Sequence, residues 1–144
     1  MTAPVFVDTN VLIYAIDLAD PRKQRLAQTW MDELWKNKRG RLSYQVLQEF
    51  YAKVSRKELS TAAEARAVVR DLLVWRPVAV EARIVERAWM IQDRYMISFW
   101  DALIVAAANA CACCFLLTED MQEGQTLEDV RVINPFTTDP DSII

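Results

Sequence analysis

Apolar positions along the chain switch between two spacings. Val5-Phe6-Val7 is a short unbroken apolar run ending in Asp8, and Val11 to Ile16 follows as a short helix opening near Asn10. This reads as strand, sharp turn and helix. Asp20-Pro21 has the form of an N-cap followed by proline at the first helical position, and Ala27, Trp30, Met31, Leu34 and Trp35 repeat at helical spacing. That helix is expected to end near Lys38 to Gly40, with a brief strand from Arg41 to Tyr44 after it. Val46, Leu47, Phe50, Tyr51 and Val54 then form another amphipathic face, with Glu49 at its border.

Thr61 and Glu64 make a capping box before Ala65, Val68, Val69, Leu72 and Leu73. Pro77 to Val80 is a candidate short strand or extended link, and Ile84 to Tyr95 continues as a helix ending near Met96. Ser98-Phe99-Trp100-Asp101 opens an almost wholly apolar helix to about Ala110. Cys114 to Leu117 and Val130 to Ile133 read as strands, the last stopped by Asn134-Pro135. Helices alternating with short, continuously apolar strands predict an α/β domain with a parallel sheet covered on both faces. It is expected to span residues 1–136 as one domain, with 137–144 as a loose tail. In such sheets ligands bind beyond the carboxyl ends of the strands, where Asp8 and Asp120 stand.

Composition sharpens the chemistry by exclusion. The 144 residues include no histidine, which removes Ser-His-Asp and Cys-His catalysis, His-ligated zinc and imidazole switching. Only two glycines, Gly40 and Gly124, leave no phosphate-cradling loop of the GxGxxG or GxxxxGK[ST] kind. Cys111, Cys113 and Cys114 are odd in number and sit in an apolar run, so reduced, buried thiols are expected. The N-terminus carries neither a basic region nor a long apolar stretch, and the apolar run from Ala102 to Leu117 is broken by Asn109. A cytoplasmic protein with no membrane span is expected.

Four acids stand where a solubilising charge is out of place: Asp8 after Val5-Phe6-Val7, Glu49 beside Phe50, Asp101 before Ala102-Leu103-Ile104, and Asp120 after Phe115-Leu116-Leu117. Converging carboxylates repel unless a cation joins them. An oxygen-only cluster suits Mg²⁺ or Mn²⁺ rather than Zn²⁺, and such an ion supports phosphodiester hydrolysis without histidine. Each acid also has a plainer explanation. Asp8 can cap the following helix, Asp101 fits a Ser98-x-x-Asp101 capping box, Glu49 can pair with Lys53, and Asp120 or Glu119 can begin a polar turn.

Net charge is −3, from 17 Lys plus Arg against 20 Asp plus Glu, yet it is unevenly spread. Between Arg22 and Lys57 lie ten bases and only Asp32, Glu33 and Glu49 as acids. This is either an ordinary solvated helix surface or a nucleic-acid groove.

The segments Phe6-Val7-Asp8-Thr9-Asn10, Leu42-Ser43-Tyr44-Gln45-Val46-Leu47-Gln48-Glu49-Phe50, Ser98-Phe99-Trp100-Asp101-Ala102 and Leu116-Leu117-Thr118-Glu119-Asp120 resemble, in order, the motifs of PIN-domain ribonucleases. More narrowly they are similar to VapC-type toxins of toxin–antitoxin pairs. The resemblance implies a three-layer α/β/α sandwich with a mainly parallel sheet, in which Asp8, Glu49, Asp101 and Asp120 surround Mg²⁺ or Mn²⁺. It makes Asn10 and Thr118 polar supports and Ser43 a supporting hydroxyl. Glu119 competes with Asp120 for the last ligand place, and motif position favours Asp120.

It further implies endonucleolytic cleavage of RNA, a homodimer, and a cognate antitoxin as partner. Under this reading Arg22, Lys23, Arg25, Lys36, Lys38, Arg39, Arg41, Lys53, Arg56 and Lys57 flank the metal cleft. Tyr14, Tyr44 and Trp100 are candidates for stacking on bases, with core packing the favoured reading at helical or strand positions. Two other classes stand beside it: a catalytically inactive RNA- or protein-binding module, and a phosphotransfer domain with Asp8 as nucleophile. The second is weakened because Asp8-Thr9-Asn10 has no second Asp two residues on.

Overall fold

Three apolar residues are enough to make a central strand when both faces are covered, and Val5–Val7 (β1) is fully buried along its whole length. Because successive side chains point to opposite faces, such burial requires a layer on each side of the sheet. The computed structural model describes residues 3–143. After β1 come helices Thr9–Tyr14 (α1) and Pro21–Asn37 (α2), strand Gly40–Arg41 (β2), and helices Tyr44–Lys57 (α3) and Ala62–Leu72 (α4). A 3-10 turn at Leu73–Trp75 leads on to helices Ala82–Tyr95 (α5) and Phe99–Ala110 (α6). Strands Phe115–Leu117 (β3), Thr126–Leu127 (β4) and Val130–Ile133 (β5) complete the fold, followed by a 3-10 turn at Pro140–Ser142.

The sheet order is β2-β1-β3-β5-β4, parallel except for the β4–β5 pair. This is the expected α/β/α sandwich with a mainly parallel sheet. The antiparallel edge strand β4 has no sequence signal beyond Leu127, since Thr126–Leu127 is two residues long. Pro77 to Val80 contributes only a single bridge, Ser43 with Val78. Helix α6 is apolar all round, with Ala102 to Ala108 buried without interruption, as a helix inside the molecule must be. Among the described residues no helix is long and apolar enough to cross a membrane.

Side-chain caps start the helices where the sequence places them. Asp20 accepts from the Lys23 amide at 3.1 Å, and Thr61 and Glu64 form the reciprocal capping box. Of the Ser98–Asp101 box only the Ser98 half is present, with Asp101 N donating to Ser98 Oγ at 3.1 Å. The chain ends helices without glycine: Lys38, Glu58, Arg76 and Met96 all cap in the left-handed conformation, at φ of 53° to 56°. One glycine is instead consumed by packing. A Cβ at Gly40 would collide with the six-membered ring of Trp75.

The segment read as a loose tail is tied down through its backbone. Buried Trp30 donates through Nε1 to the carbonyls of Pro135 and Thr138 at 3.0 and 3.2 Å, and buried Arg39 donates to those of Ala3 and Ile143. The tail's carbonyls satisfy two large side chains that would otherwise be buried without partners. Ile144 lies outside the described residues. The thiols also differ from expectation: Cys113 is buried, but Cys111 is half-buried and Cys114 exposed, because Ala112 turns the chain at φ 57°.

Candidate active site

The parallel ladder carries two polar residues to the same edge. Val7 pairs with Leu117, so Asp8 and Thr118 emerge side by side at the carboxyl ends of β1 and β3. Asp8 caps α1, its Oδ1 accepting from Thr9 N at 2.7 Å, while Oδ2 accepts from the Thr118 hydroxyl at 2.9 Å. Thr118 Oγ1 in turn accepts from Asn10 Nδ2 at 2.9 Å and from Asp120 N at 3.1 Å. Asn10 Nδ2 reaches Asp120 Oδ2 at 3.1 Å. One buried hydroxyl thus ties the two strand-end aspartates to each other.

A cavity of about 480 Å³ opens here, bordered by Asp8, Glu49, Asp101 and Asp120. Glu49 is delivered by α3, where Thr9 Oγ1 donates to its Oε2 at 2.9 Å and Gln45 Nε2 to its Oε1 at 3.0 Å. Asp101 comes from the first turn of α6. All four predicted acids meet in this cavity, with Asn10 among its lining residues.

The other expected residues fall elsewhere. Ser43 is fully buried and accepts from Val46 N as the N-cap of α3, so it fixes the helix bearing Glu49 without entering the cavity. Glu119 turns away from it, its Oε2 bound by Lys23 Nζ at 2.7 Å, with that ammonium over the rings of Tyr14 and Phe136. Of the two neighbouring acids, Asp120 is the one that lines the cavity.

The basic stretch does not gather along this edge. Of its ten residues only Lys53 lines the cavity, and Lys23 sits beside it on Glu119. Arg39 is buried on backbone carbonyls, and Lys38 and Arg41 lie at the amino end of the sheet, beside Gly40, the partner of Val5. Sequence proximity to Glu49 was misleading because the turn from α2 into β2 is at the opposite end from the turn out of β2. Tyr14 packs edge-on against Phe136, as a core ring does, but Trp100 is 64% exposed at the cavity, and Tyr44 is also exposed.

Thr9 and Gln45 were not foreseen. The signal for Gln45 is its i, i+4 spacing from Glu49, which puts both side chains on one helix face; for Thr9 it is only adjacency to Asp8.

Burial pushes the Asp8 carboxyl up to about 6, against the lowering effect of the Thr9 amide and the Thr118 hydroxyl, with Asp120 and Glu49 adding repulsion. Burial also raises Asp101, opposed by Ser98 and assisted by the charges of Asp120 and Glu49. The acids therefore sense one another. Among the described residues no three acidic or sulfur side chains are already drawn tightly enough together to clasp an ion, and Asp8, Glu49 and Asp120 are instead held by neighbouring amides and hydroxyls. Gln45 Oε1 is buried at the cavity without a hydrogen-bond partner. An all-oxygen donor set, mutual repulsion and an orphaned carbonyl oxygen together fit a hydrated hard divalent cation.

A family model described as PIN domain matches residues 5–122. Among solved structures, a toxin–antitoxin complex from Klebsiella pneumoniae is similar at 17% identity and a TM-score of 0.65, covering 91% of this chain and 97% of that one. VapC20 from Mycobacterium tuberculosis, described as a sarcin-ricin loop cleaving toxin, is similar at 26% identity and a TM-score of 0.63, covering 88% and 98%. VapBC2 from Rickettsia felis, bound to a promoter DNA fragment, is similar at 20% identity and a TM-score of 0.59, covering 90% and 97%. No curated protein matches significantly.

Proposed function

The chain belongs to the PIN-domain family, and from that premise we propose that it is a Mg²⁺- or Mn²⁺-dependent endoribonuclease, the toxin of a type II toxin–antitoxin pair. The observation that carries this reading is the convergence of Asp8, Glu49, Asp101 and Asp120, from four separate elements, on one cavity at the carboxyl ends of the strands. These four would hold the cation, and Gln45, whose Oε1 is buried at the cavity without a hydrogen-bond partner, would offer it or its water a further oxygen. When bound, the cation offsets the carboxylate charge, makes a water more acidic and neutralises charge developing on the phosphodiester.

The chain's own residues supply the positioning. Thr118 and Asn10 lock Asp8 and Asp120 in register, and Thr9 and Gln45 fix the two oxygens of Glu49. Arrangement before substrate arrives lowers the reorganisation cost of the reaction. Lys53 at the rim attracts the phosphate backbone without reading sequence, and the exposed indole of Trp100 offers a stacking face for a base. A water held among the acids would attack phosphorus as the P–O bond to the departing sugar oxygen breaks, the water's proton passing to a carboxylate of the cavity and the departing oxygen taking a proton from solvent.

The protein is expected to cut RNA only with Mg²⁺ or Mn²⁺ and to stop with EDTA. Asp8→Asn and Asp101→Asn should each lower the rate by about 100-fold or more while circular dichroism stays unchanged. If both variants cut at the parent's rate, the site assignment is wrong. Because the VapC20 structure is described by cleavage of the sarcin-ricin loop, an RNA hairpin of that sequence is the first substrate to try.

The toxin reading is tested by expression in a bacterial host: growth arrest that Asp8→Ala relieves supports it. The partner would be a cognate antitoxin in the cytoplasm. Exposed Trp89 and Met90 on α5 are the apolar surface a homodimer would cover, checked by light scattering.

A further inference from the structure

A second cavity, of about 650 Å³, lies at the amino end of the sheet, away from the carboxylates. Its lining includes Lys38, Arg41 and Arg76, the indoles of Trp35 and Trp75, and the Cys111 thiol, and no acidic residue. Among the described residues none of the three cations makes an ion pair with a carboxylate. The fold assembles this group from distant stretches of chain. Lys38 and Arg76 both reach it from left-handed helix caps, and Gly40 lacks the Cβ that would push the Trp75 ring away.

The two indoles sit 5.2 Å apart at 54° to each other. Trp75 is nearly buried, whereas Trp35 remains 38% exposed and so keeps surface for a further ring. Arg41 spends one guanidinium nitrogen on the Gly40 and Lys38 carbonyls, which fixes the group at the cavity wall and leaves its other donors available. Unpaired cations beside aromatic surface, in a cavity of small-ligand size, match a ligand that is both anionic and aromatic.

We infer that this cavity binds a phosphorylated nucleoside, its phosphate on Lys38, Arg41 and Arg76 and its base against Trp35. The same chemistry is offered by a free nucleotide and by a nucleotide unit of single-stranded RNA. The inference is independent of hydrolysis at the carboxylate cavity, because none of its residues borders that site.

Cys111 reports occupancy directly. With EDTA present to prevent any cleavage, AMP or an eight-nucleotide single-stranded RNA is added and the alkylation rates of Cys111 and Cys114 by iodoacetamide are followed by mass spectrometry. Cys114 is exposed and does not line the cavity. Selective protection of Cys111 by AMP identifies a free-nucleotide site, and protection by RNA alone identifies an RNA site. Either supports the inference. Binding should weaken about tenfold in Trp35→Ala and at least as much in Lys38→Glu/Arg76→Glu. A remote pair with the same charge change, Arg25→Glu/Lys57→Glu, should leave it unchanged.

The inference is overturned if neither ligand protects Cys111, or if the remote pair weakens binding as much as the cavity pair. It is equally overturned if an oligoglutamate peptide protects Cys111 while AMP and RNA do not, since the cavity would then be reading charge on a protein partner.

Discussion

The two ends of the sheet are opposites in charge. At the carboxyl end four acids converge with one cation, Lys53, at the rim; at the amino end three cations line a cavity with no acid. In the first, the acids are held by short side chains locked to one another. In the second, long flexible side chains project from helix caps and a strand. A rigid site for a small hard ion requires the former, and an extended ligand contacted through phosphate is served by the latter. Like charges gathered without partners destabilise a fold unless a ligand joins them, and each end displays such a set.

The largest effect expected distinguishes the two acids next to each other on the loop after β3. Asp120→Asn should lower RNA cleavage by about 100-fold or more, and Glu119→Gln by less than about threefold, because Lys23 already occupies Glu119. Equal losses measured in a single-turnover assay would mean that Glu119 swings in to act at the site.

Asp8 provides a test of stability. Its carboxyl is pushed up to about 6 by burial, so the folded state holds this proton more tightly than the unfolded chain does. The raised value therefore costs stability above about pH 6, and the cost disappears as pH falls toward the ordinary carboxylate value. In EDTA, Asp8→Asn should stabilise the protein by up to about 3 kcal/mol at pH 8 and by almost nothing below pH 4, measured by urea denaturation. Destabilisation at pH 8 would show that accepted hydrogen bonds outweigh desolvation. The same substitution should lower cleavage by about 100-fold or more, so stability and activity should separate.

At the other end, Gly40→Ala forces Trp75 off the β2 backbone. It should cost about 1 to 3 kcal/mol and disturb the cationic cavity, while folded protein retains cleavage at the carboxylate cavity. A variant as stable as the parent would mean that Trp75 moves freely, and the cavity wall with it. The smallest expected change is at Met96, 85% exposed in a left-handed cap. Met96→Gly should raise stability by about 0.5 to 1 kcal/mol in the same denaturation assay and leave both cavities untouched.

Elements with strong local signals were readable in advance. Asp20-Pro21 and Thr61-x-x-Glu64 start α2 and α4 where the chain says they should, and Val5-Phe6-Val7 is a buried strand. Strand β4 escaped because two residues carry no period, and the sequence did not say how Ser43 supports the site, because a cap hydroxyl and a hydroxyl lining the cavity look alike in sequence. Thr9 and Gln45 escaped because what they do depends on where Glu49 arrives.

By itself the sequence determined the type of chemistry available: no imidazole, no phosphate-binding glycine loop, and four acids set in apolar surroundings. It also determined the alternation of helix and strand, because period and caps act within a few residues. Tertiary structure decided which acid faces inward, with Lys23 removing Glu119 and Thr118 presenting Asp120. It also split one basic stretch between two ends of a sheet. The reason is geometric. A strand carries the chain from one edge of the sheet to the other, so Lys38 before β2 and Glu49 after it, close in the chain, are delivered to opposite edges.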